Sequence, residues 1–289
     1  MSNFILGAGI NGLLCGYLLK DFKIIGYSKQ AQEATNFPLG PRFLHFSVEL
    51  KALLKELKLP TDIKVIKVGY YYKGALHDDC PEDLRQQYFN KTRGKFKPFG
   101  SSMSANKNKI NVFSNTSPKK LYNKLYKIVK SKIIEERVTD INRNEKLLFT
   151  SNYNEFKYNK LISTIPAPAF YYVCKQPLIA STFKANPKHF YLIDKFINLG
   201  SYEYVYFPEA DNKIDRVSVH NDKLVAESSK KLNDETNFKI YLRLKINNLQ
   251  IANNINVVSN DIKFIGRYAC WNHSKKINEV LNDIKNLCN

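Results

Sequence analysis

Three glycines near the N-terminus, Gly7, Gly9 and Gly12 in the run Gly7-Ala8-Gly9-Ile10-Asn11-Gly12, have the spacing of a phosphate-binding turn. Gly7 permits a tight turn, Gly9 lets the backbone approach a pyrophosphate, and Gly12 allows the following helix to pack closely on the preceding strand. The helix N-terminus then faces the anion, so a dinucleotide is the expected ligand, and the motif serves FAD or NAD(P) alike. About twenty residues after Gly7, where an Asp or Glu usually accepts from a ribose hydroxyl, the chain has Tyr27-Ser28-Lys29. Ser28 is left to do that work, or Lys29 to meet an extra phosphate.

A second feature with chemical consequences is charge. Between Leu84 and Ile134 there is no Asp or Glu, while lysines and arginines supply thirteen positive charges, among them Arg85, Lys91, Arg93, Lys95, Lys97 and Lys132. A solvated basic face is the plainer reading; attraction of a phosphorylated substrate or of nucleic acid is the functional one. Tyr88, Phe89, Phe96 and Phe99 interleave with these charges as a base-stacking surface requires, yet no RRM, KH or helix-turn-helix signature accompanies them. Nucleic acid is therefore the minority partner and a small anionic substrate the favoured one. His77, His189, His220 and His273 lack metal-ligand spacing, so no metal is expected, and no GxSxG elbow, HExxH or P-loop occurs.

The elements that must position these residues follow from periodicity. Asn3-Phe4-Ile5-Leu6 reads as a strand, Leu13 to Lys20 continues the glycine turn as a helix, and Phe22 to Tyr27 is a second strand. Ser47 is an expected N-cap for a helix from Val48 to Leu57, with Leu50, Leu53, Leu54 and Leu57 on one face and Pro60 beyond its end. Ile63 to Tyr72 is strand-like, and Pro81 to Thr92 reads as a helix. Ser117-Pro118 starts another, with Leu121, Tyr122, Leu125, Ile128 and Val129 as its apolar face. Ile133 to Asn142, Leu147 to Ser151 and Phe156 to Ile165 read as a β-meander. Tyr202 to Phe207 and Phe238 to Ile246 are expected strands, and a terminal helix lies near Ile277 to Leu287.

Composition bounds the rest. The chain has 289 residues, of which 44% are hydrophobic and 25% charged, enough for a buried core in a two-part α/β protein. Lys+Arg 45 against Asp+Glu 26 gives a formal charge of +19, with codon bias toward lysine explaining much of the excess. The five cysteines include no CxxC pair and are odd in number, which indicates neither a zinc site nor a disulfide framework and fits a reducing compartment. The uncharged stretch from Phe4 to Leu19 is broken by glycines and preceded by no basic residue, so a cytoplasmic protein without a membrane segment is expected.

Four segments, taken together, resemble the FAD-dependent amine-oxidase and protoporphyrinogen-oxidase superfamily, and within it the UDP-galactopyranose mutases and their uncharacterised relatives. They are Gly7 to Gly12; Gly40-Pro41-Arg42-Phe43-Leu44-His45, similar to the mutases' Gly-Pro-His-hydrophobic-Phe-His; Val138-Thr139-Asp140-Ile141 with Leu161-Ile162-Ser163-Thr164-Ile165-Pro166; and Gly266-Arg267. The resemblance implies a Rossmann-like FAD-binding domain, discontinuous over 1–46, 116–166 and 258–289, interleaved with an α+β substrate domain over 47–115 and 167–257. It implies that Gly7, Gly9, Asn11 and Gly12 hold the FAD pyrophosphate, that the Val138 backbone meets adenine, and that Gly266 and Arg267 return to the flavin phosphates or ribityl chain. Arg42 and His45 would lie at the flavin face as catalytic candidates, and Tyr206 and Arg216 would touch substrate. The reaction implied is either mutase-like, on a nucleotide sugar, or a flavin oxidation, with NAD(P)H as a candidate reductant. A basic nucleic-acid-associated flavoprotein and a non-catalytic dinucleotide binder are the alternatives. The chain departs from the mutase pattern at Ser28 and Arg42, in lacking the Gly-Gly segment after the second strand, and in its shorter length.

Overall fold

The computed structural model describes residues 1–28, 43–93, 108–193, 198–220, 223–232, 240–250, 261–272 and 275–287. Along the chain the elements are β1 (Ser2–Leu6), α1 (Ile10–Leu18), β2 (Phe22–Ile25), α2 (Val48–Glu56), β3 (Ile63–Tyr72), β4 (Ala75–His77), α3 (Glu82–Arg93), β5 (Lys109–Phe113), α4 (Pro118–Val129), β6 (Ile133–Ile134), β7 (Val138–Asn142), β8 (Leu147–Thr150), β9 (Glu155–Ser163), α5 (Ala167–Val173), α6 (Pro177–Thr182), β10 (Lys184–Ile193), β11 (Tyr204–Tyr206), β12 (Arg216–His220), β13 (Lys223–Ser228), β14 (Ile240–Gln250), β15 (Ile262–Phe264) and α7 (Ile277–Lys285).

These elements make a mixed α/β structure around two sheets. In the first, β6, β2, β1, β9 and β15 run parallel. Numbered in chain order they stand 3-2-1-4-5, the order of a doubly wound sheet, whose ligand crevice opens at the carboxyl ends of the strands where the order reverses. That reversal falls between β1 and β9, at the glycine turn. The first residues of β9 pair antiparallel with β8, and β8 pairs with β7, so a meander branches from the same sheet. The stretch expected as one strand from Ile133 to Asn142 is thus two: Ile133 and Ile134 join β2, the chain turns at residues 135–137, and β7 starts the meander.

Both faces of the parallel sheet are covered, which is why β1 and β2 are apolar runs rather than alternating ones. Ile5, Ile24 and Ile162 share one core with Leu13 and Leu14 of α1, Leu121 and Leu125 of α4 and Ile284 of α7. Phe4, Leu6, Ile25 and Leu161 meet the meander and α5 on the other side. Each such fully buried side chain contributes roughly 1.5–3 kcal/mol. Helix α2, expected in the substrate domain, packs Leu50, Leu53, Leu54 and Leu57 into the first of these cores. Its N-cap is as expected, the Ser47 hydroxyl accepting the Leu50 amide at 3.1 Å.

Helix α4 begins at Ser117-Pro118 as its sequence implies, with the Ser117 hydroxyl accepting the Lys120 amide at 3.2 Å. Ile128, however, is 46% exposed. The buried stripe is Leu121, Tyr122, Leu125 and Val129, and Ile128 lies one step off it. Lys132, just beyond α4, donates to the carbonyls of Gly16 and Lys20 at 3.0 and 2.8 Å, so one charge of the basic run caps the end of α1.

The second sheet has the order β14-β10-β13-β12-β11-β3-β4, with β5 also on β3. Tyr191, Val205, Phe207 and Val217 form a core on this sheet. Tyr70, Tyr88 and Tyr206 belong to a further cluster beneath α3. Among the described residues no helix is long and apolar enough to cross a membrane.

Candidate functional site

β1 ends at Leu6, and the chain turns at Gly7, whose φ of +103° only glycine adopts without strain. A Cβ on Gly12 would fall 1.8 Å from the Gly7 carbonyl oxygen, so the first turn of α1 rests directly on the end of the strand. Gly26 is equally constrained, because its Cβ would lie 2.8 Å from the Ala8 amide nitrogen. Gly9 differs from its neighbours: a Cβ there meets nothing within 4 Å. Gly9 is the N-cap of α1, and no side chain caps the helix. The turn therefore offers uncapped amides beside an open cradle, which is what a phosphate needs.

The turn is braced from three sides. Thr164, after β9, donates its hydroxyl to the Leu6 carbonyl at 2.7 Å. The buried Tyr122 hydroxyl lies 3.2 Å from the Ala8 carbonyl and 3.0 Å from that of Ser28, donating to both. Ser28 is itself buried, and its hydroxyl and amide both donate to Glu135. From the far end of the chain, Gly266 (φ +97°) lies so close to Asn11 that a Cβ would fall 2.1 Å from the Asn11 amide nitrogen.

Arg267, immediately after that contact, donates through Nε to the Lys275 carbonyl at 3.4 Å. Burial, opposed by Tyr268 and reinforced by the charge of Arg216, lowers its pKa from the ordinary arginine value; at neutral pH it remains a cation. His45 is placed by backbone pairing: the Leu44 carbonyl accepts from Phe113 and the Phe46 amide donates to Asn111, both at 3.0 Å, with His45 opposite Val112. Burial, then Lys276 and Arg267, hold its pKa below the ordinary histidine value. The residue is solvent-exposed in part. The neutral form of His45 is thus favoured, with cations beside it.

The second sheet contributes a lateral row. Tyr70 stands opposite Tyr206, Tyr206 opposite Arg216, and Arg216 opposite Glu227. Directly opposed residues share a sheet face. Arg216 Nε is 2.6 Å from a Glu227 carboxylate oxygen, and its guanidinium carbon is 5.2 Å from the Tyr204 ring centroid. Glu227 is buried, while the Arg216 side chain is 28% exposed, leaving a face open to an incoming group. Tyr206 is 8% exposed among Tyr70, Tyr88 and Tyr204, and burial raises its pKa and that of Tyr88, so both phenols stay protonated.

The structure therefore brings Gly7, Gly9, Asn11, Gly12, Ser28, Gly266 and Arg267 to the carboxyl end of the parallel sheet. Arg216 and His45 are both within electrostatic reach of Arg267. Val138 is buried at the start of β7, opposite Thr150. Arg42 and Lys29 lie outside the described residues. Among the described residues of the basic run, Lys91 is buried in a clamp on the strand pair β11 and β12 and Tyr88 is buried, so neither can serve as a nucleic-acid platform; Lys95, Phe96, Lys97 and Phe99 lie outside the described residues. Sequence reasoning gave no role in the site to Gly26, Tyr122, Glu135, Thr164 or Lys276, although Tyr122 and Thr164 stood in segments it singled out. Glu135 carried a signal as the first acid after the acid-free run.

No family model matches the chain, and no curated protein matches it in sequence. Solved structures do match in fold. A reduced UDP-galactopyranose mutase superposes with a TM-score of 0.71 at 11% identity, covering 99% of this chain and 93% of that one. A CLA-producing fatty acid isomerase from P. acnes gives 0.66 at 10% identity over 99% and 97% of the two chains. A putrescine oxidase bound to putrescine gives 0.60 at 11% identity over 99% and 98%. At 10–11% identity these likenesses are ones of fold. None of these likenesses speaks for NAD(P)H as a reductant.

Proposed function

We propose that the protein is a flavin-dependent enzyme acting on a small anionic substrate, with a nucleotide diphosphate sugar as the substrate class. The carrying observation is the convergence of the open, uncapped glycine turn with Arg267 and Arg216, each within electrostatic reach of the next cation or of His45. The fold supports FAD as the cofactor, and the likeness to the mutase supports the substrate class. Bound flavin supplies redox or nucleophilic chemistry at its ring, so the chain needs no acid-base dyad of its own.

The chain's residues then divide the work of binding and orientation. Gly9 admits the pyrophosphate to the α1 amides, and Arg267 meets the phosphate or ribityl side from the C-terminal segment. Arg216, anchored by Glu227 and fixed in charge, presents its open face to the substrate anion. Tyr206 and Tyr70 wall that side as neutral donors. His45, neutral between cations, accepts a hydrogen bond, and an anion arriving beside it favours its protonation.

The test is spectroscopic. Purified protein is expected to show flavin absorption; after reduction, UDP or a UDP-sugar should perturb the flavin spectrum in the parent, and Arg216→Ala should lose that response while retaining flavin. A spectrum without flavin, or an Arg216→Ala variant that responds as the parent does, would overturn this reading. Arg267→Ala is expected to weaken flavin binding by about 1.5–3 kcal/mol, the worth of a hydrogen bond to a charged group. Unchanged affinity in a flavin titration removes Arg267 from the cofactor site.

A further inference from the structure

The acid missing after the second strand has a structural counterpart one strand away. β6 runs parallel to β2 with Ile25 opposite Ile134, and the Gly26 amide donates to the Ile134 carbonyl at 3.0 Å. The residue after Ile134 therefore leaves the sheet level with residues 26 to 28. That residue is Glu135. One carboxylate oxygen accepts the Ser28 amide at 2.9 Å and the other accepts the Ser28 hydroxyl, so a single serine fixes the whole carboxylate. Its orientation is tied onward to the glycine turn, because Tyr122 links the Ser28 and Ala8 carbonyls.

A carboxylate has about four lone-pair sites. Ser28 takes two, and Glu135 is solvent-exposed, which leaves acceptor capacity directed away from the serine. The position lies at the carboxyl end of the sheet, beside the turn that would hold a pyrophosphate. A neighbouring pair of hydroxyls on the adenosine side of a dinucleotide suits such an acceptor, since both donate and neither needs a cation. A phosphate in that place would meet a negative charge.

We propose that Glu135 binds the ribose hydroxyls of the cofactor's adenosine, an acid supplied from β6 to the position where β2 ends in serine, with Ser28 as its positioning residue. The inference rests on the dinucleotide reading of the glycine turn. It reverses the two roles that sequence suggested: Ser28 holds the acid rather than the ribose, and a 2′-phosphate is disfavoured rather than awaited.

The experiment compares FAD with its 2′-deoxyadenosine analogue, binding each to protein stripped of flavin and following the quenching of flavin fluorescence. The parent is expected to bind the deoxy analogue about 10- to 100-fold more weakly, as for loss of a hydrogen bond to a charged group. Glu135→Ala should bind the two flavins equally, near the weaker value. If Glu135→Ala does not fold, Glu135→Gln, which keeps an acceptor for the Ser28 amide, takes its place and should show most of the discrimination lost. Tight FAD binding by a parent that ignores the 2′-hydroxyl, or a variant that discriminates as the parent does, overturns the role of Glu135 and leaves the proposed function standing. Failure of the parent to bind FAD at all overturns both.

Discussion

A Gly9→Val chain is expected to fold, to melt close to the parent and to hold no flavin. The expectation rests on what distinguishes Gly9 from the other glycines of the turn. Its φ of −71° and ψ of 176° suit any L-residue, and a Cβ there meets nothing within 4 Å. The cost to folding is the loss of a favourable helix-capping glycine, about 1 kcal/mol. The cost to binding is far larger, since the side chain fills the space before the uncapped amides of α1. Affinity should fall roughly 100-fold or more, enough for the flavin to be lost on purification. Calorimetry and the ratio of flavin to protein absorbance read the two effects separately. A well-folded variant with its full complement of flavin would show that the cofactor lies elsewhere. Gly12 offers no such separation, because its Cβ would collide with the Gly7 backbone.

Removing the Lys91 side chain should cost about 3–5 kcal/mol of stability. The Nζ atom, at the inner end of α3, donates to the carbonyls of Phe207, Glu209 and Ile214 at 2.9, 3.2 and 2.6 Å and lies 3.9 Å from an Asp215 carboxylate oxygen. The two side chains are 2% and 1% exposed. Lys91→Ala would remove the donor to three carbonyls and the cation beside the buried Asp215 carboxylate, which also accepts from the Ser229 hydroxyl at 3.0 Å. Against a typical net stability of about 5–15 kcal/mol the loss is severe, and the melting temperature should drop by about 10 °C. A variant that melts with the parent but binds nucleic acid more weakly would return Lys91 to the surface and restore the basic-patch reading.

How much was legible in the sequence depended on how local the cause was. The glycine turn lies within twelve residues, so its spacing alone made it legible, although Gly26, Tyr122, Thr164 and Gly266, which brace it, come from elsewhere in the chain. The caps at Ser47 and Ser117 were legible for the same reason. Lys91 was not: a charge in a basic run gives no sign of the carbonyls it will meet from residues more than a hundred positions away. Nor was the row Tyr70, Tyr206, Arg216 and Glu227, which exists only through the register of β3, β11, β12 and β13. Tyr206 and Arg216 were reached by resemblance, but Glu227, which fixes the arginine, was not. Glu135 escaped because Ile133 to Asn142 has a continuous β pattern, and periodicity cannot show that the chain changes sheet partner at the corner where that acid stands.

The contact of Asn11 with Gly266 has a consequence for how the protein is made. β1 is made well before β9, which flanks it, and β9 well before β15, which flanks β9 in turn. Closing so long a loop costs little more entropy than closing one half its length, because the cost grows with the logarithm of length; what it costs is time. Until β9 and β15 have been made, the nascent chain exposes an unfinished apolar strand edge, and the crevice has no far wall. Under the proposed function, cofactor capture waits on completion of the sheet, and flavin supply during synthesis should govern how much of the newly made chain escapes aggregation.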